Sequence, residues 1–103
     1  MPSGHAVIPG RWTDTAVLFD NGWYSVITGR YDSDWALGER WNGREDAVGF
    51  PSQGGNPLWH VVPDFLALPV LHGLLDELGK NPPSTDPGYA QALADEIVRW
   101  NGA

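Results

Sequence analysis

The chain has 103 residues, 42% of them hydrophobic and 12% aromatic, with six tryptophans, no cysteine and a formal charge of -7 at pH 7. A chain of this length builds one modest core, which excludes a multidomain enzyme. Without cysteine there is no disulfide framework, no thiolate nucleophile and no Cys-based zinc or iron–sulfur site, a composition that fits the cytoplasm.

Thirteen Asp and Glu stand against six Lys and Arg. No basic stripe is left to displace counterions from a phosphate backbone, so direct nucleic-acid binding is not expected. The carboxylates are scattered from Asp14 to Glu96, whereas an acidic mimic of DNA would gather them on one face. Met1-Pro2-Ser3-Gly4-His5 leads only into Ala6-Val7-Ile8 before Pro9-Gly10. That run is too short for a signal peptide or a membrane span, and no membrane association is expected.

Residues 1–5 read as a flexible N-terminus, and 6–103 as a single domain. Thr15-Ala16-Val17-Leu18-Phe19 and Trp23-Tyr24-Ser25-Val26-Ile27-Thr28 are short strand-forming runs. Asp20-Asn21-Gly22 between them tolerates positive φ, which predicts an antiparallel hairpin over 15–28. Asp32-Ser33-Asp34 reads as turn chemistry, because a calcium loop would continue with a glycine at its sharp bend and a closing Glu.

In the third run, 35–41, alternation places Trp35, Leu37 and Trp41 on one face and Ala36, Gly38 and Arg40 on the other. Gly38 leaves room for a neighbouring chain or a bulge. From Arg44 to Pro57 the density of Gly and Pro predicts an irregular surface loop. Leu58-Trp59-His60-Val61-Val62 is then a fourth strand, stopped by Pro63.

Beyond Pro63 the apolar period changes from two to about 3.6. A single turn is predicted at 64–68, followed by a helix over 69–78 with Pro69 at its first position and Gly79 at its end. Its stripe is Val70, Leu71, Leu74, Leu75 and Leu78. After Asn81-Pro82-Pro83-Ser84, Thr85 or Asp86 caps a second helix with Pro87 just inside. Tyr89, Leu93, Ile97 and Trp100 lie on one face of it, and Asn101-Gly102 ends it. Strands first and helices last predict an α+β fold: a small antiparallel sheet of about four strands packed by two C-terminal helices.

The chain contains no GxGxxG, P-loop, HExxH or GxSxG motif, so neither a catalytic residue nor a cofactor is assigned. Gly54-Gly55 lacks the lysine and helix start of a phosphate cradle. The three histidines, His5, His60 and His72, have no metal-ligand spacing, and no metal site is assigned. Glu45-Asp46 is an adjacent carboxylate pair that diverges in space, unlike an acid–base couple.

The segment 40–59 mixes aromatic platforms with planar hydrogen-bonding groups. Arg40, Trp41, Arg44, Trp59 and His60 are its candidate ligand-binding residues: a pocket floored by Trp41 and Trp59 and rimmed by the other three. The competing reading makes Trp41 and Trp59 cross-strand core partners.

Arg40-Trp41-Asn42-Gly43, Gly49-Phe50-Pro51, Gly55-Asn56-Pro57-Leu58-Trp59 and Val61-Val62-Pro63 together resemble a pattern in short bacterial proteins of mobile-element type, borne on integron cassettes and plasmids. The resemblance covers 40–63 and implies a bacterial, intracellular setting. It transfers no catalytic residue. The expected function is a binding or protein-interaction module, with a protein partner or a second copy as occupant and a homodimer as one form. A small-molecule binder or minor enzyme with an aromatic pocket near Trp41 and Trp59 is the alternative.

Overall fold

The structure is a computed structural model that describes residues 11–43, 49–53 and 56–102. The N-terminal 1–5 segment with His5, the residues Arg44, Glu45 and Asp46, and the Gly54-Gly55 pair lie outside the described residues.

Strands β1 (Trp12–Asp20), β2 (Tyr24–Tyr31) and β3 (Asp34–Trp41) form a meander. A two-stranded ladder, β4 (Ser52–Gln53) with β5 (Asn56–Pro57), comes next, followed by β6 (His60–Val62). Helices α1 (Asp64–Lys80) and α2 (Tyr89–Gly102) complete the chain. The main sheet is antiparallel in the order β1-β2-β3-β6. It is the α+β architecture expected from the change of hydrophobic period.

The first hairpin forms where the Asn-Gly signal puts it, by a different device. Only Gly22 takes a positive φ there, 92°. Asn21 works through its side chain, whose Oδ1 accepts from the backbone N–H groups of Trp23 and Tyr24 at 3.0 Å each. Asp32 and Ser33 turn the second hairpin with φ of 50° and 79°. Asp32 also receives Arg11 at 2.7 Å on the surface.

Alternation sorts the core into two clusters, one on each face of the sheet. Phe19, Val26, Leu37 and Val62 meet Ala67, Leu71, Leu74 and Leu78 of α1 and Tyr89 and Leu93 of α2. The other face holds a smaller cluster of Trp12, Ile27, Ala36 and Trp59. Gly38 belongs to that second face. The space it leaves is filled by the Trp12 indole, since a Cβ at position 38 would stand 2.9 Å from the ring and 3.0 Å from Ile27. Neither a further chain nor a bulge is needed to explain this glycine.

Several expected boundaries move, and the fourth strand starts at His60, two residues after the expected Leu58. The first helix does not begin at Pro69 but at Asp64, so one helix replaces the predicted turn plus helix. Pro69 sits inside it and withdraws the bond to the Phe65 carbonyl, a cost of about 3 kcal/mol that the burial of Ala67, Leu71, Leu74 and Leu78 on one helix face offsets. Gly79 does not end this helix; Asn81 caps it, its N–H bonding the Glu77 carbonyl at 2.8 Å. In the 44–57 segment, the described residues include the β4–β5 ladder where an irregular loop was expected.

The second helix keeps its predicted face, with Tyr89 and Leu93 buried and Ile97 and Trp100 packed beside them. Of the two candidate caps Asp86 serves, its Oδ1 accepting from Gly88 and Tyr89 N–H at 2.9 and 2.7 Å. Pro87 falls just before the helix, because Gly88 takes φ +107°. Among the described residues no helix is long and apolar enough to cross a membrane.

Candidate functional site

Cross-strand register builds the site where β2 begins and β3 ends, beside the first turn and away from the Asp32-Ser33 turn. Tyr24 pairs with Trp41, and Glu39 lies between Val26 on β2 and His60 on β6. Period-two alternation directs Tyr24, Glu39, Trp41 and His60 to the helix-covered face. Leu74 and Glu77 of α1 border this corner.

The Tyr24 hydroxyl donates to Glu39 Oε1 at 2.7 Å. The other carboxylate oxygen stands 3.5 Å from His60 Nδ1. Burial, then the bond to the Glu39 carboxylate and its charge, pushes the Tyr24 phenol well above the usual tyrosine range. The phenol therefore remains a hydrogen-bond donor at physiological pH and holds Glu39 in place. The Tyr24 and Trp41 rings meet at 5.2 Å with a 55° tilt, a favourable aromatic geometry.

Two hollows flank this wall. The larger, about 490 Å³, lies between Trp23, Tyr24, Glu39 and Trp41 on one side and Leu74 and Glu77 on the other. The smaller, about 230 Å³, is lined by Arg40, Phe50, Pro51 and His60 on the far side of the same wall. Backbone bonds from Trp41 N–H to the Phe50 carbonyl at 2.7 Å and back at 3.0 Å hold Phe50 alongside β3. Gly49 makes that approach possible: it has φ +83°, and a Cβ there would overlap the Trp41 carbonyl.

The aromatic rings of this corner are open to water. Trp23 is 74% exposed, Trp41 57% and Phe50 66%.

The candidates predicted from sequence divide between the two faces. Trp41 and His60 lie on the corner just described. Arg40 and Trp59 lie on the opposite face, 1% and 7% exposed. There Arg40 Nη1 donates to the Leu58 carbonyl at 2.8 Å, and its guanidinium carbon stands 6.0 Å from the Trp59 ring centre. Burial lowers the Arg40 pKa from its usual value.

A single pocket floored by Trp41 and Trp59 does not form, and neither does a cross-strand Trp41–Trp59 core pair. The sheet lies between the two rings: Trp41 of β3 stands on the helix-covered face, and Trp59, just before β6, packs with Trp12, Ile27 and Ala36 on the other. Arg44 is outside the described residues. Trp23, Tyr24, Glu39 and Glu77 were not singled out from the sequence. The usable signal for Tyr24 and Glu39 was the shared parity of 35, 37, 39 and 41 together with the hairpin pairing; nothing local marks Glu77, which comes from α1.

The polar residues beside Arg40 are structural. Ser25 Oγ donates to Asn42 Oδ1 at 2.7 Å, and Asn42 Nδ2 donates to Asp20 Oδ1 at 3.0 Å. All three are buried, and Asp20 Oδ1 also accepts from Gly22 N–H at 2.9 Å. This chain ties the first turn to the end of β3.

A third hollow, of about 500 Å³, lies among Trp35, Asp64, Arg99 and Trp100. Its Trp35 indole is already occupied, with Arg99 4.1 Å and Arg30 4.8 Å from the ring centre. Among the described residues no three of His, Asp or Glu stand close enough to hold a metal ion.

Comparison with known proteins finds no similar protein-family model, no similar curated protein and no similar solved structure. The functional reading therefore rests on the corner itself.

Proposed function

We propose that the chain is a protein-interaction module whose docking surface is the Trp23–Tyr24–Trp41 corner. The observation that carries this reading is the exposure of Trp23, Trp41 and Phe50 at one end of the sheet. Removing a large aromatic side chain from water is worth roughly 1.5–3 kcal/mol, so a small domain that leaves several of them open forgoes stability at that place. Exposed apolar patches of this kind, rimmed by polar groups, are a mark of interaction sites. Trp and Tyr are also the residues that dominate binding energy at interfaces.

The occupant is a protein partner. Trp23 projects into solvent, and a broad partner surface covers such a ring better than a small ligand held in a hollow. The small-molecule alternative draws its support from the 490 Å³ volume, which falls within the range of ligand pockets.

Fluorine NMR of the chain labelled with 5-fluorotryptophan tests the reading, using peptides of acidic, neutral and basic composition and a metabolite mixture. Docking at the corner shifts the Trp23 and Trp41 resonances saturably, leaves Trp12 and Trp59 unmoved, and is lost in Trp41→Ala. If no peptide moves the Trp23 and Trp41 signals, or if metabolites alone move them, the protein-interaction reading is wrong.

A further inference from the structure

We infer that the larger hollow of this corner selects a basic side chain of the partner, above all an arginine guanidinium. The inference rests on the interaction reading and adds the chemistry of the recognised group.

The first support is how this chain treats three of its other aromatic rings. Trp35 is covered by Arg30 and Arg99 at 4.8 and 4.1 Å, Tyr31 by Arg11 at 5.4 Å, and Trp59 faces Arg40 at 6.0 Å. Each places a guanidinium against the negative face of a ring, an attraction that strengthens as water is excluded. Among the described residues no cation stands over Trp23 or Trp41. These two are the most exposed of the indoles, with the open area a guanidinium needs.

The second support is charge. Glu39 and Glu77 stand on opposite walls of the larger hollow, and no Lys, Arg or His is among its described lining residues. The carboxylates are held but not saturated. Glu39 Oε1 accepts from Tyr24 while its Oε2 has His60 Nδ1 at 3.5 Å, and Glu77 Oε2 accepts from Asn81 Nδ2 at 3.1 Å; two carboxylate oxygens with several acceptor sites each leave capacity on both groups. The smaller hollow has Arg40 and His60 on its walls and does not share this polarity.

A planar cation that stacks on an indole while donating to a carboxylate matches the larger hollow. Arginine does both at once, and its guanidinium is more weakly hydrated than an ammonium. The net charge of -7 adds long-range attraction for a basic partner.

The test uses the same labelled chain with three probes: a tetra-arginine peptide, its tetra-citrulline isostere, which keeps the shape without the charge, and a tetra-glutamate peptide. Trp23 and Trp41 are expected to respond to the arginine peptide, with the citrulline and glutamate peptides at least about tenfold weaker, a factor corresponding to one cation–π or charged contact. Glu39→Gln, which preserves the Tyr24 bond, is expected to weaken arginine binding about five- to tenfold. Asp95→Asn, on the exposed side of α2, is expected to leave it unchanged.

Equal binding of the citrulline peptide overturns the inference while the interaction module stands. Equal weakening by Asp95→Asn and Glu39→Gln also overturns it, because the attraction is then diffuse. If none of these peptides, nor any other, moves the corner's resonances, both readings fall.

Discussion

Thr28 and Glu96 are separated by most of the chain and meet at 2.6 Å, the threonine hydroxyl donating to the buried carboxylate. Trp100 Nε1 donates to the same oxygen at 3.0 Å, and Arg99 Nη1 stands 3.5 Å from its neighbour. One carboxylate thus ties α2 to β2 and aligns its own helix. Glu96→Ala removes the acceptor from two polar groups and is expected to cost about 1–3 kcal/mol. Urea denaturation should show a lower midpoint at an unchanged slope, with part of the loss recovered in Glu96→Gln.

Gly38→Ala places a methyl against Trp12 and Ile27, with contacts of 2.9 and 3.0 Å unless the ring moves. Overpacking of this kind typically costs about 1–3 kcal/mol. The same denaturation series measures it. Trp12→Phe in the Gly38→Ala background should return some of the stability by clearing the space, whereas a strictly additive double variant would show that Trp12 is not the obstacle.

Leu71 is fully buried between the sheet and the helices, whereas Val98 is 71% exposed on α2. Leu71→Ala is expected to lose about 2–5 kcal/mol through lost burial and the cavity left behind. Val98→Ala is expected to stay within about 0.5 kcal/mol of the parent. Thermal melts of the two variants separate core from surface directly.

The Tyr24 phenol is held above the usual 10.0 by burial first, then by the bond to Glu39 and its charge. Because the folded-state pKa is the higher one, the unfolded chain releases this proton first. The stabilising contribution is complete below about pH 10 and is lost as pH rises from there toward the folded value, at up to about 1.4 kcal/mol per pH unit. Tyr89 is raised in the same direction by burial and by the charges of Asp20 and Asp86. Denaturant midpoints taken from neutral to alkaline pH should fall less steeply in Tyr24→Phe than in the parent. An unchanged slope would assign the alkaline loss to other groups.

The alternation around Trp35, Leu37 and Trp41 and the 3.6 period from Val70 to Leu78 made the fold class readable, because each pattern depends only on local chain geometry. Pro69 misled the helix start, since the cost of an interior proline is outweighed by a helix that buries Ala67, Leu71 and Leu74 on one face. Gly38 was readable as a space. What fills it was not, because Trp12 arrives from β1, two strands away in the sheet.

Composition, period and turn residues determined the α+β order, the two helix faces and the first hairpin, all of which follow from interactions within a few residues. Which tryptophans are buried was decided by tertiary structure: Trp59 packs with Trp12, Ile27 and Ala36 beside Arg40, while Trp41, at the end of β3, borders an open hollow shared with Leu74 and Glu77 of α1 and stays exposed. The candidate site follows the same rule. Trp41 and His60 could be named from the sequence, but their partners Tyr24, Glu39 and Glu77 come from three separate elements, and only sheet register and helix packing bring side chains so distant in the chain to one corner.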